Sequence, residues 1–219
     1  MHYLFRTIGQ QMGLERVRGI LDESIDDFLN ASIIDIATNV VKSNVQTIFK
    51  DKFTIQDNAI SPLNGVSTLY EEKVKSINDG SDEVTSVTIN VANVMYCIGF
   101  SVKYREKSQW RNCRIIEPTK IESSLDDYCN RASARYPIVN VISTDPSDDD
   151  IDIEIHHGKS DIELVKIKYI RMPISVKYDI SNSANSVNCD LPVHLHKDVV
   201  ELAVQKFFNS VGSTSHNVR

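Results

Sequence analysis

The feature that most limits how this chain can fold is a run, ending near Lys50, in which apolar side chains recur every three or four positions. That spacing predicts one long amphipathic α-helix of about 27 residues, which is about 40 Å long. A compact chain of this size has a radius of gyration of only about 17 Å, so the helix would span the whole body. Its apolar positions are Ile25, Phe28/Leu29, Ile33, Ile36/Ala37, Val40/Val41, Val45 and Ile48/Phe49.

Residues 1–50 are predicted to be helical, because a shorter helix over about Leu14 to Leu21 should precede the long one and form a helical hairpin with it. Residues 51–82 are predicted to be a loop, since they hold two segments of turn-forming residues, Ser61–Gly65 and Asn78–Ser81. Inside this loop, Tyr70 to Ile77 is expected to add one or two helical turns.

From Val84 onwards the apolar period changes from 3.6 to 2, which predicts a β-rich core over residues 83–180. About six antiparallel strands are expected, with a hairpin turn at Lys107–Gln109. A β-bulge is expected at Leu164–Val165, where the alternation slips, and Pro173 should end the last strand. The predicted strands are Val84–Val91, Met95–Glu106, Trp110–Ile116, Ile138–Ile142, Ile151–Ile155 and Ile162–Ile170.

Two helices complete the predicted fold. One is inserted between the strands at Pro118–Ala134, with Thr119 as its N-cap, and one covers residues 190–210. Residues 211–219 are predicted to be a loose tail. The expected architecture is a single α+β domain over residues 1–219, with helices at both ends of the β-rich core.

Composition excludes several classes of protein. The formal net charge is −6, and the two halves of the chain share it equally, so a dedicated nucleic-acid binder is disfavoured. No stretch approaches 18 apolar residues, and the first residues do not resemble a secretion signal. The four cysteines are too few for a disulfide scaffold, and we interpret them as small buried side chains in a reducing compartment.

The histidines offer the one candidate metal cluster: His194 and His196, with His156, His157 and Cys189. Zinc needs three or four converging nitrogen or sulfur ligands. If His194 and His196 are both helical, they lie about 200° apart around the helix and diverge. His156 and His157 are adjacent, so on a strand they point to opposite faces. We therefore expect no metal site, and we interpret these residues as the start of a helix and a hairpin loop.

A second candidate is an acidic run between Asp145 and Glu154, which contains no basic residue. Clustered carboxylates suit calcium, but the run lacks the glycine and the distal glutamate of a calcium loop. A solvated hairpin is the interpretation we prefer, and contact with a basic partner is a further alternative. The acids are Asp145, Asp148, Asp149, Asp150, Asp152 and Glu154.

No motif for a nucleophilic serine, a phosphate-binding loop, a dinucleotide site or a zinc protease occurs in the chain. We therefore expect no catalytic residues and no cofactor. Trp110 is interpreted as a core or hairpin-end residue, and Phe207–Phe208 as part of the apolar stripe of the last helix.

Three segments resemble proteins of tailed bacteriophages. Ile25–Asn30 is similar to the start of the long helix of head–tail adaptor proteins, and Lys166–Pro173 to a strand that ends in proline in the same kind of protein. Asp190–Val204, with its Leu-Pro and His-Leu-His elements, resembles the closing helix of virion proteins of crAss-like phages of gut Bacteroidetes.

The resemblance implies a structural virion protein without enzymatic activity. It would be a ring-forming head–tail connector, or a tail-barrel ring subunit, stacked below the portal in the neck or tail of the virion and made in the host cytoplasm. It implies a homo-oligomeric ring, expected to be twelvefold, with the portal and neighbouring tail ring proteins as partners. Genomic DNA would pass without sequence-specific binding, and no membrane is involved. The alternative is a small intracellular phage-encoded binding or accessory domain.

Overall fold

The computed structural model describes residues 1–12, 19–50, 66–77, 83–145, 150–158 and 160–214, with residues 43–50, 143–145, 183 and 212–214 described by their backbone alone. It has the predicted α+β architecture. In chain order its elements are α1 (His2–Gln11), α2 (Asp22–Lys50), β1 (Tyr70–Ser76), β2 (Val84–Asn90), β3 (Val94–Tyr104), β4 (Trp110–Asn112), β5 (Arg114–Ile115), α3 (Ile121–Asp126), β6 (Ile138–Asp145), β7 (Asp150–His156), β8 (Ile162–Arg171) and α4 (His196–Thr214).

The chain divides into two compact units. The helical unit comprises Met1–Leu69 and Met172–Arg219, and the sandwich unit comprises Tyr70–Arg171. The prediction of a single domain stays a prediction.

The long helix of the helical unit is confirmed as α2, and it contacts both α1 and α4. From Ile25 to Val41 its apolar stripe is buried or half-buried, and Phe28 packs edge-on against Phe207 of α4, with ring centroids 5.6 Å apart. Burial of this stripe supplies most of the stability of a helix, because isolated helices gain little from propensity alone. The buried apolar residues of α2 and α4 are Ile25, Leu29, Ile33, Ala37, Val41, Val199, Val200, Ala203, Val204 and Phe207.

Two predicted boundaries in the helical unit are wrong. The first helix lies at His2–Gln11, where Phe5 is buried against Phe207, and Gly19–Leu21 are not α-helical; residues 13–18 lie outside the described part. The closing helix begins at His196 and continues to Thr214, so the predicted tail starts too early. Residues 215–219 lie outside the described part.

The sandwich unit contains, among the described residues, two sheets of four strands. Sheet A has the order β1-β8-β3-β4 and sheet B the order β2-β7-β6-β5. Every pairing is antiparallel except that of β5 with β6. The core lies between the sheets, where the inward-facing residues of both form one cluster, the arrangement expected of a sandwich. The buried members are Val87, Ile89, Val91, Phe100, Val102, Tyr104, Val139, Ile151, Ile153, Ile155, Ile162, Val165, Ile167 and Tyr169.

Two of the eight strands were not expected. Tyr70–Ser76 is β1, paired along its whole length with β8, and the prediction of helical turns there is wrong. The predicted strand Trp110–Ile116 is divided, because the chain passes from sheet A to sheet B at Cys113. The amide of Cys113 still donates to Phe100 O in sheet A, while that of Arg114 already donates to Pro137 O.

The inserted helix is much shorter than predicted. A 3₁₀ turn at Pro118–Lys120 leads into α3, which ends at Asp126, so the helical prediction for the remainder of the segment to Ala134 is wrong. Thr119 is not the N-cap: Glu117 precedes the 3₁₀ turn, with Pro118 as its first residue.

The end of the sheet region follows the prediction closely. β8 stops at Arg171, two residues before Pro173. Its pairing with β3 shifts register where Tyr104 faces Ile162 and Lys103 faces Leu164. The extra residue is therefore Glu163, one position before the predicted bulge.

Candidate functional site

The most elaborate polar arrangement in the helical unit holds an extended segment, residues 174–178, which we call the strap. Its alternate amides, those of Ile174, Val176 and Tyr178, all donate to side chains. The acceptors are Asp190 Oδ2 at 3.1 Å, Asn30 Oδ1 at 2.7 Å and Asp26 Oδ2 at 2.9 Å, in that order. Alternate amides lie on one edge of an extended chain, so three side chains occupy the place of a neighbouring strand.

Asn30 does more than accept a hydrogen bond. Its Nδ2 donates to Val176 O at 3.0 Å, so its amide group pairs with both polar backbone groups of Val176. Asp26 and Asn30 are four residues apart on α2, which places them on one face of the helix beside the strap. On the opposite edge of the strap, Lys177 forms a β-bridge with Val187.

The turn after the strap is organised by Asp179. Its carboxylate accepts hydrogen bonds from the hydroxyl and amide of Ser181, at 2.6 and 2.9 Å, and from the amide of Asn182 at 3.1 Å. Asn185 Nδ2 adds another at 3.3 Å. These donors favour the charged carboxylate and lower the pKa of Asp179 to about 2.

A charged network secures the start of α2 next to the strap. His2 Nε2 lies 2.6 Å from Asp26 Oδ1, and its Nδ1 lies 3.3 Å from Asp22 Oδ1. The His2 ring also packs against the ring of Tyr178 at a tilt of 37°, with centroids 4.6 Å apart. Arg6 donates to Asp22 at 2.8 Å; this hydrogen bond, with that from His2, lowers the pKa of Asp22 against the opposing effect of burial. The network ties α1, α2 and the strap together.

A cleft of about 410 Å³ opens beside the strap, and its walls include Tyr3, Tyr178, Val187, Cys189 and His196. Burial raises the pKa of the Cys189 thiol, so it is not an activated nucleophile. His196 Nε2 lies 2.9 Å from Leu191 O. The thiol of Cys189 is not activated and the ring of His196 lies against a backbone carbonyl, so the cleft resembles a binding surface more than a reactive centre.

The candidate metal ligands fall in both units. His156 and His157 belong to the sandwich unit, whereas Cys189, His194 and His196 belong to the helical unit. His157 Nε2 lies 2.8 Å from Thr85 Oγ1, and both side chains are buried. Burial lowers the pKa of His156 and of His157. The described residues contain no group of three or more His, Cys, Asp or Glu side chains that could hold a metal ion.

The acidic run spans the β6–β7 hairpin, with Asp148 and Asp149 outside the described residues. Asp150, Asp152 and Glu154 alternate on β7 with three buried isoleucines, as predicted, and therefore project from the outer face of sheet B. Thr88 on β2 donates to Asp152 at 2.6 Å.

The aromatic candidates have different surroundings. Trp110 is half-buried on the outer face of sheet A, with Lys166 Nζ 4.6 Å from its ring centroid. Phe207 is a core residue, whereas Phe208 is 49% exposed, next to a cleft that it lines with Met12. The prediction of a core stripe therefore holds for Phe207 and is wrong for Phe208.

The sequence interpretation missed the role of the strap residues. Asp26, Asn30 and Asp190 each stand inside a segment that carried the phage resemblance, yet their spacing along the chain gives no sign that they meet. The available signal was the i, i+4 pair of short polar side chains on an otherwise amphipathic helix.

Within the described part of the chain, no helix is both long and apolar enough to cross a membrane. Neither a known family model nor a curated protein sequence matches the chain.

Proposed function

We propose that this chain is a structural subunit of a ring in the neck or tail of a tailed phage of the crAss-like kind. Stacked below the portal as a head–tail connector or tail-barrel ring, copies of the chain would surround a passage for genomic DNA. The proposal begins from the three sequence segments that resemble virion proteins.

One observation carries the proposal further: polar residues of these segments meet at the strap. Asp26 and Asn30 come from the first segment and Asp190 from the third, and the strap begins directly after Pro173, which closes the second. All three side chains bind backbone amides. Side chains used in this way hold the backbone in place and perform no chemistry. A structural role for the three segments is what an assembly subunit requires.

The charge of the chain also suits a DNA passage. Attraction between protein and DNA depends on lysine and arginine placed against phosphates. A subunit with a net charge of −6 supplies little such attraction overall, so DNA can move past it without being retained.

The location can be tested directly on particles. A short epitope tag is inserted at the Lys107–Gln109 turn, which joins β3 to β4, and purified particles are labelled with antibody-bound gold. We expect gold at the junction of head and tail or along the upper tail. Gold on the capsid shell would argue against a neck or tail ring. So would intact particles that bind no gold although the tag is detected in the same particles after they are denatured.

The cleft of about 410 Å³ beside the strap favours a second candidate, a binding or accessory domain without catalytic activity. Such a domain would remain in the soluble fraction of infected cells when particles are removed by centrifugation. A ring subunit would be depleted from that fraction as particles mature.

A further inference from the structure

Charge is separated between the two sheets of the sandwich unit. Of the seven basic residues in the strands of sheet A, three stand at outward positions, Lys103, Lys166 and Lys168, whereas the four acidic residues in the strands of sheet B include three at outward positions of β7, Asp150, Asp152 and Glu154. Because the sheets pack face to face around one core, their outer faces point in opposite directions.

The acidic face is formed by the middle of sheet B. Asp150, Asp152 and Glu154 occupy alternate positions of β7, so their Cα atoms follow one another at about 6.7 Å and their side chains lie on the same face. In the described part of the chain, no lysine or arginine forms an ion pair with them. His156 lies 3.9 Å from Glu154, but burial lowers the pKa of its ring and so favours the neutral form. Apart from the hydroxyl of Thr88, which donates to Asp152, the described residues of the sandwich unit leave their mutual repulsion without compensation.

The opposite face carries lysines with the same spacing. Lys166 and Lys168 occupy alternate positions of β8, between buried Val165, Ile167 and Tyr169. Lys103 of β3 projects on this side too, facing Trp110 of β4. Each side chain is partly exposed.

Acidic groups offset only part of this positive charge. Glu72 binds Lys166 at 2.8 Å, and Glu163 lies 3.3 Å from Lys103. Among the described residues, Lys168 forms no hydrogen bond and no ion pair within 4 Å, although its charge contributes to lowering the pKa of Glu72 after the hydrogen bonds from Lys166 and Tyr70. The face therefore keeps a positive excess that is matched in spacing to the carboxylates of β7.

We propose that the acidic face of sheet B in one copy of this chain docks on the lysine-bearing face of sheet A in the next copy. Two different faces of one subunit then meet, which makes the contact heterologous, and a heterologous contact repeats into a ring when its rotation closes. The inference rests on the proposed function, because it assigns the lateral contact of the ring.

The size of the faces sets the expected strength of the contact. Four strands of about seven residues cover at most roughly 440 Å² in projection. A stable interface buries about 800 Å² on each partner. A single contact is thus weak, so isolated copies should associate only at high concentration and more strongly as salt is lowered.

The test reverses each face separately and measures association by sedimentation velocity. One variant carries Asp152→Lys and Glu154→Lys, and the other carries Lys166→Glu and Lys168→Glu. Either change places like charges on both sides of the contact. The dissociation constant for self-association of each variant alone should therefore be at least about tenfold higher than that of the unmodified chain. A mixture of the two variants should associate again, because each restores the complement of the other.

A control that raises the net charge by as much as the acidic-face variant distinguishes an effect of the docking face from an effect of net charge alone. Glu23→Lys with Asp27→Lys alters exposed residues of α2, which belongs to the helical unit and carries neither face, and should leave association unchanged. Thermal melting of every variant establishes that it is folded.

Three outcomes would overturn the inference: an unmodified chain that stays monomeric up to ~1 mM in low salt, face variants that associate normally, or a mixture that stays dissociated. Binding of duplex DNA that only Lys166→Glu/Lys168→Glu abolishes would overturn it as well, since the lysine face would then have another occupant. None of these outcomes removes the protein from particles, so failure of the docking model is distinct from failure of the proposed function.

Discussion

At the scale of single residues, Asn30 shows how one side chain can replace a strand. Its amide group offers a donor and an acceptor in the same plane, and Val176 uses both. A partly buried backbone amide that loses its partner costs free energy, because water replaces the bond only incompletely. Asn30 therefore holds the strap against α2 through a pair of bonds that few other side chains can make.

We expect Asn30→Ala to lower the free energy of unfolding by about 1–3 kcal/mol, after a small gain in helix propensity. The measurement is urea denaturation, with hydrogen exchange at the Val176 amide as the local readout. Asn209→Ala, an exposed position on α4, is the matched control and should change stability by less than about 0.5 kcal/mol. Unchanged exchange at Val176 in the Asn30 variant would contradict the role assigned to Asn30.

Asp179 makes the turn after the strap sensitive to acid. Its pKa in the folded chain is about 2, below its ordinary value, because hydroxyl and amide donors bind the carboxylate. The lowered pKa means that this carboxylate stabilises the fold above about pH 4, and that the contribution is lost as the pH falls through about 2. An NMR titration should place the Asp179 midpoint near the lower value, and Ser181→Ala should raise it. A midpoint at the ordinary value in the unmodified chain would show that the turn is not formed.

The cysteines should differ in reactivity according to burial. Burial raises the pKa of Cys113 to about 12 and that of Cys97 to about 11, so both remain protonated thiols near pH 8. Cys129 is exposed. Iodoacetamide should therefore modify Cys129 at least about tenfold faster than Cys113, and Cys129→Ser should remove the fast phase. Equal rates at the two positions would place Cys113 outside the sandwich core.

At the scale of elements, the sequence predicts a helix or strand well where the spacing of apolar residues alone determines it. α2 follows the helical period from Ile25 to Val41, and β7 follows strict alternation. β1 follows neither, since all seven of its residues are exposed and most are charged or polar. It is a strand because β8 supplies its hydrogen bonds, and pairing between residues 88 to 100 positions apart, from Ser76–Leu164 to Tyr70–Ile170, leaves no local signal.

The length of the inserted helix was predicted wrongly for a different reason. Ile121, Leu125 and Tyr128 have helical spacing, which is why the pattern suggested a longer helix. Asp127 ends it, because its carboxylate accepts the amide of Cys129 at 2.9 Å and the side chain of Asn130 at 2.5 Å. A short acidic side chain that binds nearby donors competes with helical hydrogen bonding. The spacing of apolar residues gives no information about that competition.

Lys73 and Lys75 protect an open edge of the sandwich. β2 is the edge strand of sheet B, and these two side chains reach from β1 to its carbonyl groups at Asn90 and Thr88. Charged groups over an unpaired edge discourage pairing with another chain.

We expect the double variant Lys73→Thr/Lys75→Thr to aggregate at a lower temperature than the unmodified chain, because it exposes the β2 edge and raises the strand propensity of β1. Light scattering during heating is the measurement. Lys73→Arg/Lys75→Arg keeps both charges and serves as the control. Equal aggregation of the threonine variant and the control would show that the lysines do not guard this edge.

At the scale of the whole molecule, the distribution of charge could not be read from the sequence. The two halves of the chain have equal net charge, yet the two sheets differ in sign. The reason is topological: each sheet collects strands from distant parts of the chain, so neighbours in sequence such as β7 and β8 separate onto opposite sheets. The strap illustrates the same limit, because Asn30 and Val176 are 146 residues apart.

The central claim, that the chain is a ring subunit of a virion, is tested most directly by quantitative mass spectrometry of purified particles. Particles are purified by density gradient, washed in high salt to remove adsorbed protein, and compared with the input at each step. We expect the chain to remain in a small, constant ratio to the major capsid protein, as for a ring present once in each particle. Its absence from particles, or a ratio that falls with each wash, would contradict the account.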